Sequence, residues 1–312
     1  NRAWVAQPMC AVSKPPSTPA QAVLNPADRR DIVGMMHEAT LTDVTSALEQ
    51  AWNIAPKWAS TLAPNRAAML ESAAEMMEAQ RADLIFLLVR EAGKTLLDAV
   101  GEVREAVDFL RYYAWQLRQA HQQKELSTAH TPSKSGTDDF STTSLGRQSL
   151  GPVVCISPWN FPLAIFVGQI SAALAAGNPV LAKPAEQTPL IAAQAVRIFH
   201  DAGIPLAALQ LLPGSGETIG SALVADHRIR AVMFTGSTAV AKILQRQLAG
   251  RLDEHGMPLT LIAETGGQNA MIVDSSAQPE QVVADVLLSA FGSSGQRCSA
   301  LRVLCLQEEI AD

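Results

Sequence analysis

The 312-residue sequence contains no apolar run long enough to cross a bilayer. Its longest apolar stretches, such as residues 163–176, are interrupted by Gln169 and Ser171. The first residues lack the charged, apolar and small-residue layout of a secretory signal. Charge is scarce as well, at 17% of residues, and the formal net charge is -6. Lys and Arg are spread along the chain, so no basic stripe exists to neutralise a row of phosphates, and no nucleic-acid partner is expected. Four cysteines, at positions 10, 155, 298 and 305, form no CxxC pair. The close pair Cys298 and Cys305 has no nearby His to complete a zinc set, so no metal is expected. Free thiols in a large acidic chain point to a reducing, cytoplasmic setting. What is abundant is apolar residues, 48% of the total, enough for one large core or two ordinary ones.

Residues 1–30, rich in Pro, Ala and polar residues, read as an extended segment wrapping a surface. Thr42 is predicted to cap a helix carrying Ala47, Leu48 and Ala51, and Pro64 suits the first turn of the next. Met69, Ala73, Met76 and Met77 recur at helical spacing, which is core packing rather than a ligand box. Gly93 reads as a helix stop, and residues 96–124 as a long amphipathic helix carrying Val103, Val107, Leu110 and Tyr113. Residues 121–149 form the clearest break in composition and read as a surface excursion or flexible loop. Beyond it, apolar runs at 153–156, 179–182, 209–212, 231–234, 259–263 and 270–273 alternate with helical stretches at 162–176, 188–202, 217–225 and 238–249. Apolar strands alternating with helices imply an α/β fold, a parallel sheet covered on both faces. Such sheets bind ligands at the carboxyl ends of their strands.

Those ends carry the chemistry. The run Ser157-Pro158-Trp159-Asn160-Phe161-Pro162 pins an amide between two prolines, where it can donate to a developing oxyanion. For an isolated Asn an ordinary turn is the better reading. Lys183-Pro184-Ala185-Glu186 offers partners for the two hydroxyls of a ribose, and Glu186 would repel a 2′-phosphate; alone, it is equally a solvated pair. The glycines from Gly214 to Gly220 miss the GxGxxG spacing by one residue and carry little weight. Phe234-Thr235-Gly236-Ser237-Thr238 opens a helix with small residues, a better cradle for a pyrophosphate. Glu264-Thr265-Gly266-Gly267 supplies a candidate general base, and partial burial would raise its pKa toward neutrality. Gly295-Gln296-Arg297-Cys298-Ser299 places a thiol in a turn before a further strand at 302–306. Cys155 and Cys305, inside apolar strands, read as buried structural cysteines.

In order and spacing these blocks resemble the signature of the aldehyde dehydrogenase superfamily across nearly the whole chain. The wording of residues 263–274 and 295–302 is most similar to Δ1-pyrroline-5-carboxylate dehydrogenases, including the dehydrogenase part of bacterial bifunctional proline-utilisation proteins. The resemblance implies a parallel Rossmann-type NAD-binding sheet plus the start of a second α/β catalytic domain. The implied divisions are an N-terminal helical part at 1–120, a bridging segment at 121–150, the NAD-binding core at 151–266 and the start of the catalytic domain at 267–312. The activity it implies is NAD-dependent oxidation of L-glutamate γ-semialdehyde to glutamate. It makes Cys298 the nucleophile, Glu264 the base and Asn160 the oxyanion donor. Ser157, Pro158, Trp159, Lys183, Glu186, Gly214, Phe234, Gly236, Ser237 and Gly266 would line the cofactor, and Glu105, Phe161 and Ser299 the substrate.

Two departures stand out. Ala239 and Ala241 replace the usual Glu and Gly of the pyrophosphate helix, and the Ala241 methyl is expected to crowd the cofactor slightly. The chain also ends 14 residues after Cys298 (312 − 298). The family's nicotinamide-ribose acid, carboxylate-anchoring loop and oligomerisation tail are expected beyond that point, and a proline dehydrogenase domain is expected as a partner elsewhere in the same full-length protein. Residues 1–312 alone are therefore expected to be inactive, and the complete protein a homo-oligomer. The competing readings are another semialdehyde specificity, a non-catalytic remnant, or a cysteine hydrolase. The last needs a His beside Cys298, whereas His227 and His255 lie in polar, surface-like stretches.

Overall fold

The computed structural model describes residues 3–12, 15–129, 149–253 and 256–311. The N-terminal part contains β1 (Trp4–Ala6), β2 (Gln21–Leu24), β3 (Ile32–Met36), α1 (Leu41–Ser60), α2 (Ala63–Ala79), α3 (Arg81–Ala92) and α4 (Leu96–Ala129). Next come β4 (Val153–Ile156), α5 (Ala164–Ala175), β5 (Val180–Lys183), α6 (Pro189–Asp201) and β6 (Leu209–Leu211). A π-helical turn at Gly216–Gly220 runs into α7 (Ser221–Ala225), followed by β7 (Ala231–Thr235), α8 (Thr238–Ala249) and β8 (Thr260–Glu264). The chain closes with β9 (Asn269–Val273), α9 (Pro279–Phe291) and β10 (Leu301–Leu306).

The central sheet has the order β6-β5-β4-β7-β8, with every pair parallel. Alternation along its strands sorts side chains onto two faces. Val153, Cys155, Val180 and Ala182 join a core built with α2, α4, α5 and α6. Val154, Leu181, Val232 and Phe234 face α1, α7 and α8 instead. With both faces covered, β4 and β5 have no need of polar residues, which is why they read as unbroken apolar runs. Met69, Met76 and Met77 pack into the first of these cores, as their spacing implied.

Three expectations need correction. Thr40, not Thr42, caps α1: its hydroxyl accepts from the Asp43 N–H at 3.1 Å, and the Asp43 carboxylate accepts from the Thr40 N–H at 2.8 Å. Residues 1–30 are not merely a surface wrap. Trp4 and Ala6 are buried, β1 pairs with β3, and Met9 bridges to Leu211, covering the open edge of β6. The break at 121–149 begins later than its composition indicated, because α4 continues to Ala129; residues 130–148 lie outside the described part.

After β8 the chain leaves the central sheet. β9 and β10 form a separate parallel pair, and no residue of α9 is buried. Cys305, expected to be buried in its strand, is exposed, like every residue of β10 after Leu301. Cys155 is fully buried as expected, and burial pushes its thiol far up.

Candidate active site

Register brings the predicted strand ends into one row. Ile156 lies opposite Lys183 on one side and Phe234 on the other, and Glu264 lies opposite Thr235. Gln169 ties the row together from α5, donating to the Ile156 carbonyl and the Thr235 hydroxyl. Ser157 is buried at the end of β4, while Trp159 is exposed beyond it.

On the β5 side, Lys183 is buried, and its ammonium donates to Glu186 Oε1 at 3.1 Å and to the Pro184 carbonyl at 2.9 Å. Glu186 also accepts from the Gly216 N–H at 2.6 Å. Burial raises the Glu186 pKa, but the Lys183 charge and the hydrogen bonds it receives outweigh this and leave it lowered. Burial, only partly offset by Glu186, lowers that of Lys183. The bend after β6 needs a glycine: Gly214 has φ 147°, and a Cβ there would stand 2.6 Å from Ile219. Gly236 is equally confined, with the Phe234 ring lying against it. Ser237 caps α8 by accepting from the Val240 N–H at 3.2 Å, leaving a helix N-terminus open beside Gly236. Ala241 packs with the core beneath α8. Gly266 sits in the exposed turn after β8, with nothing close to the position a Cβ would take.

Asn160 reaches the thiol-bearing segment. Its amide donates to the Gln296 carbonyl at 2.8 Å, across 136 positions of sequence and two residues before Cys298. Cys298 is exposed, and its own carbonyl accepts from the Asn269 amide at 2.8 Å. Glu264 is exposed at the end of β8, so the partial burial expected for a base is not found.

Beneath Asn160 lies a buried ion pair that sequence reasoning missed. Glu102 of α4 meets the Lys94 ammonium at 2.6 Å and accepts from the Leu163 N–H at 2.8 Å at the start of α5. Lys94 in turn lies 4.1 Å from the centre of the Phe161 ring. The pair therefore anchors the end of the Pro158–Pro162 turn where it enters α5. Glu105, one turn further along α4, lines a groove with Gly101, Arg104, Asp108, Phe109 and Tyr112. Desolvation and the neighbouring Glu102 raise its carboxyl pKa, against the pull of Lys94 and Arg297. Acidic side chains at 98, 102 and 105, one face of a helix, were the available signal. Ser299 is exposed beside Cys298, and no hydrogen bond joins it to Glu105 or Phe161 among the described residues. No group of three or more His, Cys, Asp or Glu among the described residues could hold a metal, and no helix there is long and apolar enough to cross a membrane.

Comparison with known proteins accounts for this arrangement. The model of the aldehyde dehydrogenase family matches residues 14–312. The bifunctional protein PutA of Klebsiella aerogenes is 62% identical over 94% of this chain and 21% of its own length. The 1-pyrroline-5-carboxylate dehydrogenase of Bacillus cytotoxicus is 34% identical over 93% of this chain and 54% of its own length. Among solved structures, proline utilization A from Bdellovibrio bacteriovorus superposes with a TM-score of 0.86 at 32% identity, covering 98% of this chain and 31% of that one. The 1-pyrroline-5-carboxylate dehydrogenase from Thermus with bound NAD gives 0.84 at 33% identity, covering 98% and 58%. The chain thus spans about a fifth of the PutA protein and about half of the Bacillus dehydrogenase. It belongs to the aldehyde dehydrogenase family.

Proposed function

We propose that this chain carries the NAD-binding core and the thiol-bearing segment of an L-glutamate γ-semialdehyde (Δ1-pyrroline-5-carboxylate) dehydrogenase of proline catabolism. The observation that carries this reading is the hydrogen bond from Asn160 to the Gln296 carbonyl, which brings the oxyanion donor to the turn holding Cys298. The likeness to PutA and to 1-pyrroline-5-carboxylate dehydrogenases supplies the substrate class. In the complete protein we place a proline dehydrogenase domain as partner, a homo-oligomeric assembly and a cytoplasmic location.

The residues at the strand ends fit a dinucleotide. Lys183 and Glu186 present charged hydrogen-bonding groups to a ribose, while Gly236 and the Ser237-capped helix N-terminus suit its pyrophosphate. Ser157, Pro158, Trp159, Gly214, Phe234 and Gly266 complete that lining in this reading. When bound, NAD supplies the hydride acceptor. Cys298 as thiolate adds to the aldehyde carbon, forming a C–S bond and an alkoxide. Asn160 has two amide protons: one goes to Gln296, and the other serves the alkoxide together with the Cys298 N–H. Loss of hydride leaves a thioester on Cys298. Glu264 takes a proton from water, which attacks the thioester and releases the acid and the thiolate. Glu105, Phe161 and Ser299 border the substrate.

A cysteine hydrolase would instead need a histidine beside the thiol. His227 is 90% exposed next to Asp226, no histidine bonds to Cys298 among the described residues, and His255 lies outside them. The test is Glu264→Gln. It is expected to keep hydride transfer and slow thioester hydrolysis, giving a burst of NADH and then a slow steady state. Equal collapse of the burst would move Glu264 to an earlier step, such as activation of the thiol.

A further inference from the structure

The turn that carries Cys298 is held by an unusual set of contacts. Ser293, Ser294 and Gly295 have φ of 55°, 56° and 67°, three successive residues in the left-handed region. Serine disfavours that conformation, so the turn needs outside support to persist. Support arrives at four consecutive residues from four different places. Arg302 of β10 donates to the Gly295 carbonyl at 2.7 Å, and Asn160 donates to the Gln296 carbonyl at 2.8 Å. The Arg297 guanidinium donates to Asp98 of α4 at 3.1 Å, across 199 positions, with both side chains largely shielded from solvent. Asn269 of β9 donates to the carbonyls of Cys298 at 2.8 Å and Ala300 at 3.1 Å. Asp98 also takes part in the cap of α4, where its N–H donates to the Thr95 hydroxyl at 3.1 Å.

We infer that Asp98 and Asn269 are positioning residues for the nucleophile: together they fix the Cys298 backbone, and Asp98 does so by gripping Arg297. The same helix face carries Glu102, which anchors the Asn160 turn. α4 is therefore the common support of the two groups that must meet at the aldehyde carbon. The inference rests on the thioester reading above for its catalytic consequence, but not for its structural one.

Two measurements separate those consequences. Hydrogen–deuterium exchange over residues 293–300 of the full chain reads the clamp without any turnover. D98N, R297Q and N269A should each speed that exchange roughly tenfold. The control E78Q removes a different ion pair of α4, Glu78 with Arg111 at 3.1 Å, and should leave the exchange unchanged. NADH formation by the native protein reads catalysis. D98N and R297Q should lower kcat roughly tenfold to a hundredfold, with the KM for NAD held within about twofold. The double variant should be no worse than the poorer single one, because both remove the same contact. Unchanged exchange in D98N and R297Q, an additive double variant, or an equal effect of E78Q would overturn the proposal. A longer native polypeptide carrying these residues that forms no NADH, yet shows the expected exchange pattern, would leave the clamp standing and overturn the thioester reading.

Discussion

The two halves of the candidate active site are built on opposite terms. Around β4, β5 and α5 the functional side chains stand on a floor of fully buried residues such as Val154, Phe166 and Leu181. Around Cys298 the neighbouring elements bury little: Ile272 is 85% exposed, Leu288 65% and Phe291 67%. Both regions carry apolar strands and helix faces in sequence. The difference lies in whether a second layer covers them, since a helix or strand face becomes a core only when something packs against it. The cofactor side is thus positioned by packing, which is dense and redundant. The thiol side is positioned by a few polar tethers, each of which can be cut singly.

The sharpest way to break this comparison is to remove the proposed nucleophile. Cys298→Ala should abolish aldehyde oxidation by the native protein while NAD binding, followed by calorimetry, is retained, because thiol and cofactor residues stand on separate supports. Near-full turnover would pass the role to Cys305 or Cys155. A large but different effect is expected on the packed side. Phe166 is fully buried between α4 and the sheet, and truncation to Ala should cost about 3–5 kcal/mol of stability by denaturant unfolding. A cost below about 1 kcal/mol would mean that this core is loose.

The contrast also explains what could be read from the sequence. Apolar runs marked every strand of the central sheet, and small residues after β7 marked Gly236 and Ser237, because these signals are local. Asp98, Lys94, Glu102 and Asn269 carry no such signature. Their roles depend on partners up to 199 positions away, which only the folded chain brings together. The exposure of Cys305 and Glu264 escaped for a related reason: an apolar strand says that it is fit to be covered, not that a cover is present. The N-terminal sheet was missed because β1 and β2 have 3 and 4 residues, too few for an alternation to show.

A smaller effect tests the electrostatics of the packed side. Glu186 keeps its negative charge through Lys183 and the Gly216 N–H, and Lys183 is already engaged with Glu186 and Pro184. A 2′-phosphate placed there meets a carboxylate with no spare cation in its contacts. The expected penalty is about 1–3 kcal/mol, so NAD should be preferred over NADP roughly tenfold to a hundredfold in kcat/KM. Glu186→Gln should narrow that ratio. Comparable values for both cofactors in the wild type would refute this role for Glu186.

The smallest effect is expected on the thin side of the site, and it is the one that decides whether the comparison is intrinsic to these residues. Val283, Leu287, Leu288 and Phe291 of α9 are all more than half exposed, and Leu288→Ser removes apolar surface that is already in water. In residues 1–312 this substitution should change stability by no more than about 0.5 kcal/mol, as for a surface site. It should also reduce self-association, since adjoining exposed apolar side chains form a sticky patch. The same substitution within a longer polypeptide carrying these residues gives a second reading of the face. There, a cost of about 2 kcal/mol or more would show that further chain covers α9 and buries Leu288. The weak packing around Cys298 would then belong to the segment and not to the assembled enzyme. A large cost in residues 1–312 themselves would contradict the exposure of α9 and collapse the distinction between the two halves.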